Sequence, residues 1–310
     1  MPKMPLYTSF HHYAHHCTHV SNLLKVFLVL CSVVVVFNMF SVISITSLST
    51  PGKHAFVTVF SANHLCEAMH ACQTYSNVPE IKTGMVTVIA FYAEDVTSEM
   101  LSNYTKLCPV VQLRPISLKQ YPSYVLDLKN YRFKFLILKE VLSEFDTLLY
   151  GDVSIWFNTS VTDESLTDLF KSMKTTFAKQ GIRMFAFAPH SNFAVTHPLM
   201  YNYFNVSVEQ MKNTTQLGAT ALMVSNTTAA HDVIDKVAEC ALEENCMAPK
   251  GAKLKCPYPD FTLNTKVVCH RFDQSAVNMR LIELYGTDSF LYYKPSRLIK
   301  LVRTEVCSFP

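Results

Sequence analysis

Residues 131–157, YRFKFLILKEVLSEFDTLLYGDVSIWF, constrain the fold most, because a helix pattern runs almost directly into a strand pattern. Leu138, Val141, Leu142 and Phe145 recur at helical spacing, with Lys139, Glu140, Ser143 and Glu144 on the other side, so the first half reads as a core-facing helix. Leu148, Leu149 and Tyr150 then form an apolar run of the kind expected for a strand buried on both faces. Sheets covered in this way carry their ligands beyond the carboxyl ends of the strands, and Asp152 and Ser154 fall at that edge.

The chain has 310 residues and 49% hydrophobic content, enough for one large domain with a sizeable core. Its net charge of +3 is spread along the sequence, which lacks the basic clusters of a nucleic-acid binder. No Walker loop, GxGxxG, HExxH or Ser/His/Asp order is present. Residues 26–45, VFLVLCSVVVVFNMFSVISI, carry no charge, and about 20 such residues suffice to cross a bilayer as a helix. That length favours an uncleaved signal anchor over a cleaved signal peptide, whose apolar region is usually about 7–15 residues. Asn103, Asn158, Asn205, Asn213 and Asn226 each begin an Asn-x-Ser/Thr acceptor, and all five follow the span. Cys66, Cys72, Cys108, Cys240, Cys246, Cys256, Cys269 and Cys307 also follow it, even in number and without CxxC zinc spacing, as disulfides in an oxidising compartment would be. The expected organisation is a cytosolic tail over 1–25, a transmembrane signal anchor over 26–45, a short stem over 46–54 and a lumenal domain over 55–310. That organisation would make the chain a single-pass type II glycoprotein of the Golgi or another secretory membrane, with the cell surface as an alternative. The histidines of the tail, His11 to His19, read as an unstructured segment rather than a metal site.

Within the lumenal region, strands are expected over 56–60, 85–92, 110–113, 148–157, 184–188 and 218–224. Helices are expected over about 162–179, 227–244 and 273–285, while 245–265, with prolines and cysteines and no periodicity, reads as a tied loop or lid. The alternation indicates an α/β fold, a mixed sheet flanked by helices.

A helix, an apolar strand and then Asp152-Val153-Ser154 resemble the GT-A class of nucleotide-sugar glycosyltransferases, which carry Asp-x-Asp at this place. The resemblance covers roughly residues 55–301 and implies a GT-A-like, Rossmann-like sheet. Asp152 would hold a divalent cation, Mn²⁺ or Mg²⁺, that bridges the donor diphosphate. Here the second carboxylate is replaced by Ser154, whose hydroxyl would assist Asp152 in binding the donor. In Tyr131-Arg132-Phe133-Lys134, related glycogenin-type enzymes often place a lysine near the sugar nucleotide, which makes Lys134 and Arg132 donor-binding candidates, with a solvated lysine as the alternative. Gly218, within Gln216-Leu217-Gly218-Ala219-Thr220, would line the pocket or simply begin a strand. Cys269 to Ala276 resembles the Asp-Gln helix start of this class, which implies catalytic or orienting roles for Asp273 and Gln274 and a metal or phosphate contact for His270. Asp273 could equally be a helix cap. The late His-x-x-Gly-x-x-Lys-Pro-Trp motif of glycogenin-like enzymes is absent. The YRFK, GDxS and DQSA pattern is also similar to that of a group of animal single-pass proteins. The activity implied is transfer of a sugar from a nucleotide-sugar donor to a glycan or glycoprotein acceptor. Two alternatives stand beside it: an inactive GT-A-like domain that binds glycans or scaffolds other proteins, and a surface adhesion domain.

Overall fold

The structure is a computed structural model that describes residues 53–257 and 266–303. The expected tail, anchor and most of the stem lie outside these residues, and among the described residues no helix is long and apolar enough to cross a membrane. In chain order the elements are β1 (His54–Phe60), α1 (Leu65–Tyr75), α2 (Pro79–Lys82), β2 (Val86–Tyr92), α3 (Ser98–Leu107), β3 (Val111–Pro115), α4 (Phe133–Leu142), β4 (Thr147–Gly151), β5 (Ile155–Phe157), α5 (Leu166–Lys174) and β6 (Ile182–Met184). There follow β7 (Phe187–Ser191), α6 (Val208–Lys212), β8 (Thr215–Leu217), β9 (Ala221–Ser225), α7 (Thr228–Leu242), α8 (Phe272–Tyr285) and β10 (Ile299–Leu301), with short 3₁₀ turns between.

Six strands form one sheet in the order β3-β2-β1-β4-β9-β6. β1 runs parallel to β2 and β4, whereas β9 runs antiparallel to both β4 and β6, so the sheet is mixed. Strand alternation divides the core in two. Ala55, Val57, Leu148, Tyr150, Leu222 and Val224 face the cluster that includes residues of α4, α7 and α8, while Phe56, Phe60, Leu149, Ala221 and Met223 face the one that includes residues of α1, α3 and α5. Burial on both faces explains why these strands read as continuous apolar runs.

Several boundaries differ from the sequence reading. The expected 148–157 strand is two: β4 stops at Gly151, a turn closes with the Ile155 amide donating to the Asp152 carbonyl at 2.8 Å, and β5 leaves to pair with β10. A side chain at Gly151 would sit 3.1 Å from the Phe56 ring and 3.2 Å from Ile155 Cβ, so glycine permits the fold-back. The expected 162–179 helix begins at Leu166, where Ser165 and Asp168 make a reciprocal capping box, and ends at Lys174. Glu164 instead accepts from the Arg297 amide (2.8 Å) and the Ser296 hydroxyl (2.9 Å), which ties down the chain before β10. The expected 184–188 strand is also two, β6 in the main sheet and β7 in a separate ladder with β8. Cystines join Cys72 to Cys108, Cys240 to Cys246 and Cys256 to Cys269, and Cys66 is disulfide-bonded as well.

Candidate functional site

Because β9 is antiparallel to β4, its first residues lie at β4's carboxyl edge: Gly151 pairs with Ala221, and the Asp152 amide donates to the Thr220 carbonyl at 2.8 Å. The start of α8 reaches the same edge. A pocket of about 110 Å³ opens there, walled by Tyr131 and Lys134 before and within α4, Asp152 after β4, Ala219 and Thr220 before β9, and residues 271–274 at the start of α8. Leu254 and Arg303 complete the rim.

Lys134 is the centre of this pocket. It is 2% exposed, and its ammonium reaches Asp273 Oδ2 at 2.6 Å, Asp152 Oδ1 at 3.3 Å and the Ala219 carbonyl at 3.1 Å. Three acceptors match its three protons. Burial alone would favour the neutral amine, but the two carboxylates outweigh it and hold the pKa above the usual lysine value. Burial raises the Asp273 carboxyl against the pull of Lys134. The Tyr150 hydroxyl donates to Asp152 Oδ1 at 2.7 Å, which leaves Asp152, the more exposed of the two carboxylates, with its second oxygen free of the Lys134 and Tyr150 contacts. The rings of Tyr131 and Tyr150 lie 5.6 and 5.1 Å from the ammonium.

Backbone strain coincides with the pocket. Among the described residues, Tyr131 (φ 54°) and Phe272 (φ 36°) are the two non-glycine residues with positive φ, and both line it. Such conformations cost on the order of 1–3 kcal/mol each and persist where the surrounding structure over-determines them, commonly at functional sites.

Gln274 is a clamp on the pocket wall. Its Nε2 donates to Gln216 Oε1 at 2.6 Å, and its Oε1 accepts from the Ala219 amide at 3.4 Å. Asn278, one turn later, donates to the Leu217 carbonyl at 2.8 Å and accepts from the Leu217 amide at 2.9 Å, so α8 completes the edge of β8 as a strand would.

Of the residues proposed from sequence, Lys134, Asp152, Asp273 and Gln274 meet here; the others do not. Arg132 is a correction: its guanidinium faces away, donating to the Ala241, Glu243 and Glu244 carbonyls at 2.6, 2.9 and 2.8 Å, with the Tyr124 ring 4.9 Å from it. It serves the negative end of α7, where carbonyls lack helical partners. His270 is a second correction as a metal ligand. Its Nδ1 accepts from the His197 amide at 3.2 Å, so the proton sits on Nε2, which donates to the Met247 carbonyl at 2.9 Å. Both nitrogens are taken, and burial lowers its pKa to about 4. Gly218 makes no special approach to the pocket: a methyl group there would meet Thr220 Oγ1 at 3.5 Å and Ala186 Cβ at 3.7 Å, ordinary contacts. Ser154 lies in the turn after Asp152, where its carbonyl accepts from Val302.

A divalent cation fits this arrangement poorly. Asp273 is committed to Lys134, His270 is spent on backbone groups, and no cluster of three or more His, Cys, Asp or Glu side chains suited to a metal ion occurs among the described residues. Tyr131, Tyr150, Arg271 and Arg303 are pocket or near-pocket residues that sequence reasoning did not assign. Tyr131 lies inside the YRFK segment and Arg271 inside the Cys269 to Ala276 segment, whereas Arg303 carries no sequence signal at all.

A family described as "Protein of unknown function (DUF1647)" matches residues 11–139. No curated protein matches the chain. Among solved structures, the galactosyltransferase LgtC with donor and acceptor sugar analogs is similar at 13% identity, over 72% of this chain and 69% of that one, with a TM-score of 0.41. Mouse xyloside xylosyltransferase 1, apo form, is similar at 8% identity, over 79% of this chain and 85% of that one, with a TM-score of 0.43. Core-mannan synthase A from Aspergillus fumigatus, in its Mn/GDP form, is similar at 9% identity, over 82% and 75%, with a TM-score of 0.47. With all three scores below 0.5, the functional reading rests on this chain's own residues.

Proposed function

We propose that this protein is a nucleotide-sugar-dependent glycosyltransferase of GT-A type, acting on a glycan or glycoprotein acceptor. The observation that carries the reading is the convergence of Asp152, Lys134 and Asp273 from a strand end, a helix and a second helix start into one strained pocket. Lys134 is not itself a phosphate contact, since its protons are used within the protein. It fixes the two carboxylates, Asp273 buried and Asp152 partly exposed with one oxygen outside these contacts. Arg271 and Arg303 on the pocket wall supply the positive charge that a leaving diphosphate requires. The volume of about 110 Å³ takes one small group, well short of the roughly 300–1,000 Å³ of whole-ligand sites, so the rest of a donor would lie across the open rim.

The setting proposed is the lumenal side of a Golgi or other secretory membrane, on an uncleaved type II anchor at 26–45. It is supported by the disulfides and by exposed Asn103 and Asn205. A catalytically inactive glycan-binding or scaffolding domain is the second reading, favoured by Lys134 pairing with both carboxylates that chemistry would use, Asp273 Oδ2 at 2.6 Å and Asp152 Oδ1 at 3.3 Å. Binding of a nucleotide-sugar panel to the purified protein, with Asp152→Ala alongside, separates the two. The transferase reading predicts saturable binding of one donor, weakened at least tenfold by the substitution. A folded protein that binds no member of the panel would be the inactive form.

A further inference from the structure

Three aromatic rings lie together at the surface just beyond the pocket wall. Phe187 at the start of β7 is 42% exposed, and its ring centroid is 3.9 Å from that of Tyr293. Phe290 is 76% exposed, the largest exposure among the large hydrophobic side chains described, and its centroid is 6.5 Å from Tyr293. The backbone beneath is fixed. Tyr293 bridges to Met184 of β6, with the Lys294 amide donating to the Met184 carbonyl at 3.1 Å, and the Asp288 carboxylate caps the 289–291 turn through the Phe290 amide at 3.1 Å.

The cluster is continuous with the candidate site. Phe187 pairs with Leu217 across the β7–β8 ladder, the Gly218 amide donates to the Ala186 carbonyl at 2.8 Å, and Ala219 is already a pocket wall. Ladder geometry puts Phe187 on the order of 10 Å from that wall. An exposed phenylalanine has no polar handle and forfeits burial, so an ordered group of rings at the surface marks a contact site. Flat rings on a rigid support suit the C–H faces of sugar rings. A membrane contact would carry a basic fringe, whereas the charges within two residues of Phe290 and Tyr293 in sequence, Asp288 and Lys294, are of opposite sign.

We propose that Phe187, Tyr293 and Phe290 form a carbohydrate platform that holds the sugar rings of the acceptor beside the pocket. This rests on the transferase reading for the word acceptor, but not for the platform itself. The test uses the full chain purified in detergent, an array of N-glycan, O-glycan and glycosaminoglycan oligosaccharides, and the variants Phe290→Ser and Phe290→Trp, with nucleotide-sugar affinity measured in parallel. Phe290→Ser should weaken binding of the best glycan about three- to tenfold, Phe290→Trp should preserve it, and neither should change nucleotide-sugar affinity. Absence of any glycan binding by the wild type overturns the platform, as does glycan affinity indifferent to Phe290. In phosphatidylcholine–phosphatidylserine vesicles, an environment-sensitive dye on Phe290→Cys should report water, and a shift to an apolar signal would overturn it in favour of a lipid contact. Phe290-dependent glycan binding with no nucleotide-sugar binding leaves the platform standing and removes the transferase reading.

Discussion

His270 shows how completely one side chain can be consumed by structure. It sits 1% exposed next to the residues of the pocket, yet its ring spans two loops, accepting from the His197 amide and donating to the Met247 carbonyl. Only the neutral imidazole can do both. With a pKa of about 4 in the fold and about 6.5 when unfolded, the unfolded chain binds the extra proton between those values. The contribution is therefore fully present above about pH 6.5 and is lost as pH falls toward 4, by roughly 3 kcal/mol. Denaturation midpoints measured across that window should show the fall in the wild type and a flatter slope in His270→Gln. Lys134 is the contrasting case, a buried cation held by two carboxylates, Asp152 and Asp273, together with the Ala219 carbonyl. Both residues are visible as polar groups within motif segments, but nothing in a linear sequence says whether such a group turns toward a ligand or toward backbone. That choice depends on chain segments far away, such as Met247 for His270 and Ala219 for Lys134.

At the scale of elements, α7 ends on a side chain from another helix start. Its last carbonyls and those of the following turn receive Arg132, while Tyr124 donates to the Leu242 carbonyl at 2.5 Å, beside the Cys240–Cys246 cystine. Arg132→Met would leave three carbonyls without this donor in a buried setting, and the expected loss is about 2–4 kcal/mol by chemical denaturation. Nucleotide-sugar affinity of the folded fraction should be unchanged, and a large loss would return Arg132 to the donor site. The helices over 228–242 and 272–285 were legible because their apolar periodicity is local. The start of α5 was less so: the 162–179 reading began it four residues early, since Glu164 is engaged with residues 296–298 and the helix starts after the Ser165–Asp168 capping box. Likewise the break between β4 and β5 depends on Phe56 lying against Gly151.

For the molecule as a whole, cystines pin separate parts of the fold. The Cys72–Cys108 bridge spans 36 residues and joins the end of α1 to the end of α3, on the face opposite α4, α7 and α8. In the chain-entropy account a loop of that length is worth about 4 kcal/mol, so Cys72→Ser/Cys108→Ser should lower unfolding stability by roughly that amount in denaturant titrations. The even cysteine number and the alternation of strand and helix signals were enough to indicate an α/β domain with disulfides, though not the pairing. The sequence by itself determined which segments could be buried strands and which could be amphipathic helices, because those properties follow from periods of two and 3.6 residues within one stretch of chain. It also put Asp152 at a strand end, where ligands of such sheets gather, while Asp273 was singled out by the resemblance of its segment to the GT-A class. Tertiary structure alone decided that β9 runs antiparallel beside β4, which brings Ala219 and Thr220 to Asp152, and that Lys134 bridges Asp152 to Asp273 while Arg132, two residues earlier, serves α7. Those outcomes turn on which distant backbone groups compete for each polar side chain, and that competition exists only once the chain has folded.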